Sequence, residues 1–153
     1  MIKLTVKNVK TMRGHDGMPG AAWECDIYID GVKAGWALDD SWGGLVRIEF
    51  NSPSFEKQFN DYVKTLPSTE MYGQTIEPNG DMVIADLVDE FENEKRLRKM
   101  VKKGTYFRCK GDKEGVYRTV KVGRKIAPFT PQIKAWIVRT YPNLEEILNE
   151  KFQ

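Results

Sequence analysis

Residues 23–38, Trp23-Glu24-Cys25-Asp26-Ile27-Tyr28-Ile29-Asp30-Gly31-Val32-Lys33-Ala34-Gly35-Trp36-Ala37-Leu38, decide the fold class. Trp23, Cys25, Ile27 and Ile29 alternate with Glu24, Asp26, Tyr28 and Asp30, the period-2 pattern of a strand with one buried face. Asp30-Gly31 then supplies the two residues that a type I′ turn needs at positive φ. A strand through Val32–Leu38 is therefore predicted to return antiparallel on the first. Upstream, Ile2, Leu4 and Val6 alternate with Lys3, Thr5 and Lys7; downstream, Leu45 to Phe50 places Val46, Ile48 and Phe50 on one face. The connections Arg13–Gly20 and Asp39–Gly44 are rich in glycine and turn formers. The first fifty residues thus predict a four-stranded antiparallel meander.

Helices are predicted to follow. Ser52-Pro53 is a helix start, the hydroxyl capping an orphan N–H and the proline taking the first position. Phe55, Phe59, Tyr62 and Leu66 then share one helical face. Pro67–Gly80 is expected to be a long loop with at most a short extended piece. From Asp81 a second helix carries Val83, Ile84, Leu87, Val88 and Phe91 as its stripe, with acids in its first half, bases in its last and Gly104 as its C-cap. Thr105–Cys109 and Val116–Val122 are predicted to pair as a second hairpin. Thr130-Pro131 caps a helix bearing Ile133, Trp136 and Ile137, with Trp136 expected in the core. Asn143 and Glu146 resemble a capping box for a last short helix with Leu144, Ile147 and Leu148. Strands and helices are segregated, not alternating, so the class is α+β: an N-terminal four-stranded antiparallel meander packed by helices, a second C-terminal β-hairpin and short C-terminal helices. At 153 residues one domain over 1–153 is expected.

Composition narrows the function. Hydrophobic residues at 41% and charged residues at 30% are a globular balance and exclude fibrous and low-complexity classes. No apolar run approaches a membrane span, and the opening MIKLTVKNVK alternates charged with apolar residues, unlike a signal peptide. Cys25 and Cys109 lie in strand patterns without C-x-x-C spacing, which suits two buried thiols in the cytoplasm. The net charge of +2 hides a division. Residues 1–94 carry 8 basic and 17 acidic side chains, residues 95–125 carry 13 and 2, and residues 126–153 carry 3 of each. A block of that density is a candidate anion footprint. Alternatively, acidic and basic faces neutralise each other within the fold or across a homo-oligomer.

Most catalytic chemistries lack their residues. His15 is the only histidine and stands in a glycine-rich loop without a triad or metal motif. No Gly-Lys dipeptide occurs, so there is no P-loop, and there is no G-x-G-x-x-G. Asp86, Asp89 and Glu90 fit a solvated helix face, and the adjacent Asp39 and Asp40 are expected to diverge. No catalytic residue, metal ligand or cofactor is predicted.

Two features suit binding. Trp42 offers a stacking surface, Gly43 and Gly44 let backbone N–H groups approach an anion, and Arg47 follows on the exposed strand face. In the second hairpin Tyr106, Arg108 and Lys110 share one strand face, with Arg118 on the partner strand, a mixture suited to phosphates and stacked bases.

The segments Leu4–Lys10, Ile27–Gly35, Asp40 with Gly43-Gly44, Leu87-Val88-Asp89, Lys95-Arg96-Leu97 and Phe107 near Lys110-Gly111 resemble a family of small bacteriophage and prophage accessory proteins. The resemblance implies work inside a bacterial cell, by binding a host component. The function expected is a non-enzymatic host-takeover or anti-defence protein that engages an anionic target, a nucleotide-like signal molecule or a nucleic acid. The alternatives are an inhibitor that binds a host protein through the acidic N-terminal portion, and a small enzyme with an unrecognised site.

Overall fold

The computed structural model describes residues 1–152. It is an α+β protein whose chain gathers into two compact units, Met1–Glu92 and Asn93–Gln153, each with its own apolar cluster. The sequence reads as one domain over 1–153; the boundary between the units falls inside a helix that shows no break in its pattern.

Unit 1 is built on β1 (Leu4–Met12), β2 (Ala22–Ile29), β3 (Val32–Asp39) and β4 (Arg47–Phe50), an antiparallel sheet in the order β1-β2-β3-β4. The turn between β2 and β3 has Asp30 at φ 49° and Gly31 at φ 81°, the I′ geometry its sequence encodes. Ile27 and Ile29 are fully covered, and Glu24 stays exposed, as the alternation requires. The pairing of β1 with β2 slips between Lys7 and Lys10, where Asn8 adopts φ 53° and its amide donates to Asp26 Oδ2 at 2.7 Å. Gly35 has a steric reason: a Cβ there would collide with the carbonyl oxygen of Glu49 on β4. β4 starts at Arg47, two residues later than the apolar run suggests, and leaves Leu45 at 86% exposure.

Two helices cover the inner face of the sheet. α1 (Pro53–Lys64) is capped by Ser52, whose hydroxyl accepts from Phe55 N–H at 3.3 Å, a cap worth about 1 kcal/mol. α2 (Gly80–Lys103) starts one residue before Asp81 and is capped by Asn79, whose Oδ1 accepts from Met82 N–H. Phe59, Val63, Ile84 and Val88 join Val6, Cys25, Ile27 and Ile29 in one core. Burial pushes the Cys25 thiol up to about 11, so it stays protonated and inert. Residues 69–76 supply the extended piece expected within the 67–80 loop. They form a hairpin of β5 (Thr69–Met71) and β6 (Gln74–Ile76) around Tyr72-Gly73, both at positive φ. Tyr72 takes the position that usually holds Asn or Asp, so the turn carries no sequence signature.

Unit 2 departs more from expectation. β7 (Tyr106–Cys109) pairs with β8 (Arg118–Thr119), as predicted for the second hairpin. The stretch 116–122 is not one strand, however. Val120, 7% exposed, turns inward and accepts a hydrogen bond from Ala127 N–H at 2.7 Å. Beyond it β9 (Lys121–Val122) pairs with β10 (Lys125–Ile126) in a separate ribbon. The capping-box reading of Asn143–Glu146 is also corrected. Leu144–Ile147 is a strand, β11, pairing antiparallel with the other edge of β7. Asn143 caps nothing; its carbonyl accepts from Lys110 N–H at 2.8 Å. Local signals favour a helix here, but β7 presents a second row of backbone groups that must be satisfied. Only Leu148–Lys151 is helical, as α4. α3 (Pro131–Thr140) is capped by Thr130 as predicted, but Ile137 fills the core and Trp136 is 40% exposed, edge-on to Tyr141.

Gly104 ends α2 for a reason other than positive φ: a Cβ would collide with the side chain of Ile126. The carbonyls of the last turn are capped by Asn149, 7% exposed, whose amide donates to Gly104 O at 2.8 Å and Val101 O at 3.4 Å. Its Oδ1 accepts from Tyr106 N–H at 2.9 Å.

Candidate functional site

The eight sequence-predicted ligand residues fall four in each unit. In unit 1, Trp42 is 72% exposed and stacks one face on the His15 ring, centroids 4.5 Å apart at 22°. The loop after β1 and the turn after β3 leave the same end of the antiparallel sheet, and the stack ties them. His15 N–H donates to Ser41 Oγ at 2.9 Å, and His15 Nδ1 lies 2.6 Å from Ser41 O. A carbonyl only accepts, so Nδ1 carries the proton. Gly14 is needed beneath this contact, since a Cβ there would lie 2.5 Å from Ser41 Oγ. His15 was the residue sequence reasoning passed over, and only proximity across the two loops reveals its role.

The turn itself is acidic. Asp39 Oδ1 accepts from Ser41 N–H at 2.9 Å and Asp40 Oδ1 from Trp42 N–H at 3.0 Å. Two of the N–H groups that could face an anion are thus already held by carboxylates, whose charge repels phosphate. Gly43, at φ 80°, and Gly44 border open space. Arg47 lies 3.7 Å from Glu49 and over the Trp36 ring at 5.7 Å.

In unit 2, Tyr106 is half-buried and Lys110 exposed. Arg118 forks onto Asp112, Nε to Oδ2 at 2.9 Å and Nη2 to Oδ1 at 2.8 Å, and covers the Tyr141 ring at 5.4 Å. That fork, with Cys109 N–H donating to Oδ2, holds the Asp112 carboxyl down at about 2. Arg108 Nη2 donates to Asp112 O at 3.1 Å. Its Nε lies 2.9 Å from Glu145 Oε2, an ion pair whose alignment makes no hydrogen bond. The adjoining cleft of about 510 Å³ is lined by Asp112, Glu114, Glu145 and Glu146 beside Arg108. Arg108 and Arg118 therefore spend their charge on carboxylates of their own unit, in surroundings that disfavour a phosphate.

The free cations stand elsewhere. Unit 2 has 16 basic and 6 acidic side chains, a balance of +10; unit 1 has 8 and 16, a balance of −8. Among the described residues only Arg98, Arg108, Arg118 and Lys134 of the sixteen pair with a carboxylate. Lys102 and Lys103 are exposed at the end of α2, and Lys121, Arg124 and Lys125 on the β9–β10 ribbon. The contact of Gly104 with Ile126 sets the ribbon beside that helix end. Its base is fixed at Thr105, which is fully buried. Thr105 N–H and Oγ1 both donate to Ala127 O, at 2.9 and 3.0 Å, and Thr105 O accepts from Thr119 Oγ1 at 3.0 Å. The result is an anchored stem with a cationic tip, which sequence reasoning saw as charge but not as an element.

Among the described residues no three His, Cys, Asp or Glu side chains converge as a metal-binding group, and no helix is long and apolar enough to cross a membrane. No protein-family model, curated protein or solved structure matches this chain.

Proposed function

We propose that this is a non-enzymatic binding protein that engages a nucleic acid through unit 2, in the accessory role inside a bacterial cell that its phage-like sequence features suggest. The observation that carries the reading is the free charge: twelve of the sixteen cations of unit 2 have no carboxylate partner among the described residues. Keeping like charges together costs stability unless an anion joins them, and a polyanion gains most from an open cationic surface. A single nucleotide would want an enclosed cationic cavity, and the cleft at Arg108 is carboxylate-rich.

The test is anisotropy of labelled mixed-sequence DNA and RNA with the full chain between 50 and 200 mM salt. Binding that weakens steeply with salt supports the reading; no binding at 50 mM overturns it.

One observation favours a second use of the chain. Trp42, Leu45 and Met18 are exposed at 72%, 86% and 61% on loops of the acidic unit. An exposed tryptophan held rigid by a stack is a common anchor for a protein partner. In this reading unit 1 docks a host protein, and Trp42→Ala removes that binding while leaving nucleic-acid binding intact.

A further inference from the structure

The β9–β10 ribbon has dimensions that select among nucleic acids. Two strands about 4.8 Å apart, with side chains, are too wide for the roughly 6 Å minor groove of undistorted B-form DNA and fit its roughly 12 Å major groove. Two residues on each leg lie between the buried base at Val120 and Ala127 and the Gly123-Arg124 tip, so the tip stands three residue steps out. At about 3.3 Å per residue the tip reaches about 10 Å, against a major-groove depth of about 8.5 Å. Gly123, at φ 65°, makes the two-residue turn that keeps the ribbon narrow. Lys121 and Lys125 lie on opposite legs, and Lys102 and Lys103 flank the base.

The same stretch lacks what a single strand needs. Neither 95–103 nor 121–125 contains an aromatic residue on which bases could stack. A-form RNA presents a major groove too deep and narrow for a ribbon. From this we infer that unit 2 binds duplex B-form DNA, with the ribbon entering the major groove, Arg124 at base-edge depth, and Lys102 and Lys103 on the flanking phosphates. The inference rests on the nucleic-acid reading above and narrows it to one class.

The experiment compares one sequence of about two helical turns as DNA duplex, DNA single strand and RNA duplex, by anisotropy across a salt series with the full-length protein. Four phosphate contacts, from Lys102, Lys103, Lys121 and Lys125, predict a log–log salt slope of about −3.6, or a loss of about 150-fold between 50 and 200 mM. Replacing Lys121, Arg124 and Lys125 together by Gln, at exposed positions that leave the core untouched, should reduce the slope to about −1.8. Replacing Lys57 and Lys64 on α1 by Gln should leave it unchanged. Tightest binding to the DNA duplex, with that reduction, supports the inference. Equal or tighter binding to the single strand or the RNA duplex overturns it and leaves the nucleic-acid reading standing. An unchanged slope in the ribbon variant overturns it in the same way. Binding to none of the three overturns both.

Discussion

Replacing Asn149 tests how unit 2 holds its basic elements in place. Its side chain is 7% exposed and serves three backbone groups: Gly104 O at 2.8 Å, Val101 O at 3.4 Å and Tyr106 N–H at 2.9 Å. Asn149→Ala strands the Gly104 carbonyl and the Tyr106 N–H in a covered site. Each such group costs about 1–3 kcal/mol, so the variant should lose about 2–6 kcal/mol. That is a large share of a stability of roughly 5–15 kcal/mol. With a urea slope of about 2 kcal/mol per M, the midpoint of the transition that reports unit 2 should fall by about 1–3 M. Urea unfolding followed by far-UV circular dichroism and by fluorescence reads it. Asn149→Leu separates lost polar partners from lost volume, since it fills the space and bonds nothing; it should cost as much as the alanine. Lys134→Ala breaks only an exposed ion pair to Glu150 and should change stability by less than about 1 kcal/mol. A change under about 0.5 kcal/mol in both Asn149 variants would refute the reasoning, because it would mean that water satisfies those groups as well as the amide does.

Three further predictions concern other parts of the chain. His15→Ala removes the stack and the ring hydrogen bond to Ser41 O, so Trp42 emission should shift to longer wavelength and its anisotropy should fall, with the folded core intact. Gly35→Ala should destabilise unit 1 strongly, well beyond the roughly 1 kcal/mol typical of a point change, because the added methyl meets the Glu49 carbonyl; thermal melting measures it. The Asp112 carboxyl is held at about 2, below its ordinary value, by Arg118. Its contribution to stability is therefore present above the unfolded value near pH 4 and is lost as pH falls through about 2. Stability between pH 5 and pH 2 should fall less steeply in Arg118→Ala than in the parent.

The parts of the fold that were legible in the sequence are those decided within a few residues. The 23–38 hairpin has period-2 alternation and a turn whose two residues tolerate positive φ, and nothing distant competes with it. Ser52-Pro53 and Thr130-Pro131 carry caps that act on amides three residues on. Residues 144–147 were not legible, because Leu144, Ile147 and Leu148 suit a helix as well as a strand, and only the unpaired edge of β7 decides. The break at Val120 likewise depends on Ala127 and Thr105, which no strand pattern within 116–122 contains. The same holds for the site. Charge density in 95–125 was readable, and Arg47 is exposed where the strand alternation puts it. Which arginines stay free was not readable, because Asp112 and Glu145 are brought to Arg118 and Arg108 by a turn and by a strand pairing. Composition cannot show that the strongest basic side chains of the hairpin are neutralised while the lysines beyond it are not.

The most direct test of the central claim is an amide-resolved NMR titration of the full chain with a short DNA duplex. The account predicts that shifts concentrate at Lys102, Lys103 and the 121–125 ribbon, fade with added salt, and leave Trp42-Gly43-Gly44 unmoved. Shifts centred on Trp42-Gly43-Gly44 or on Arg108, or no shifts at low salt, would contradict it.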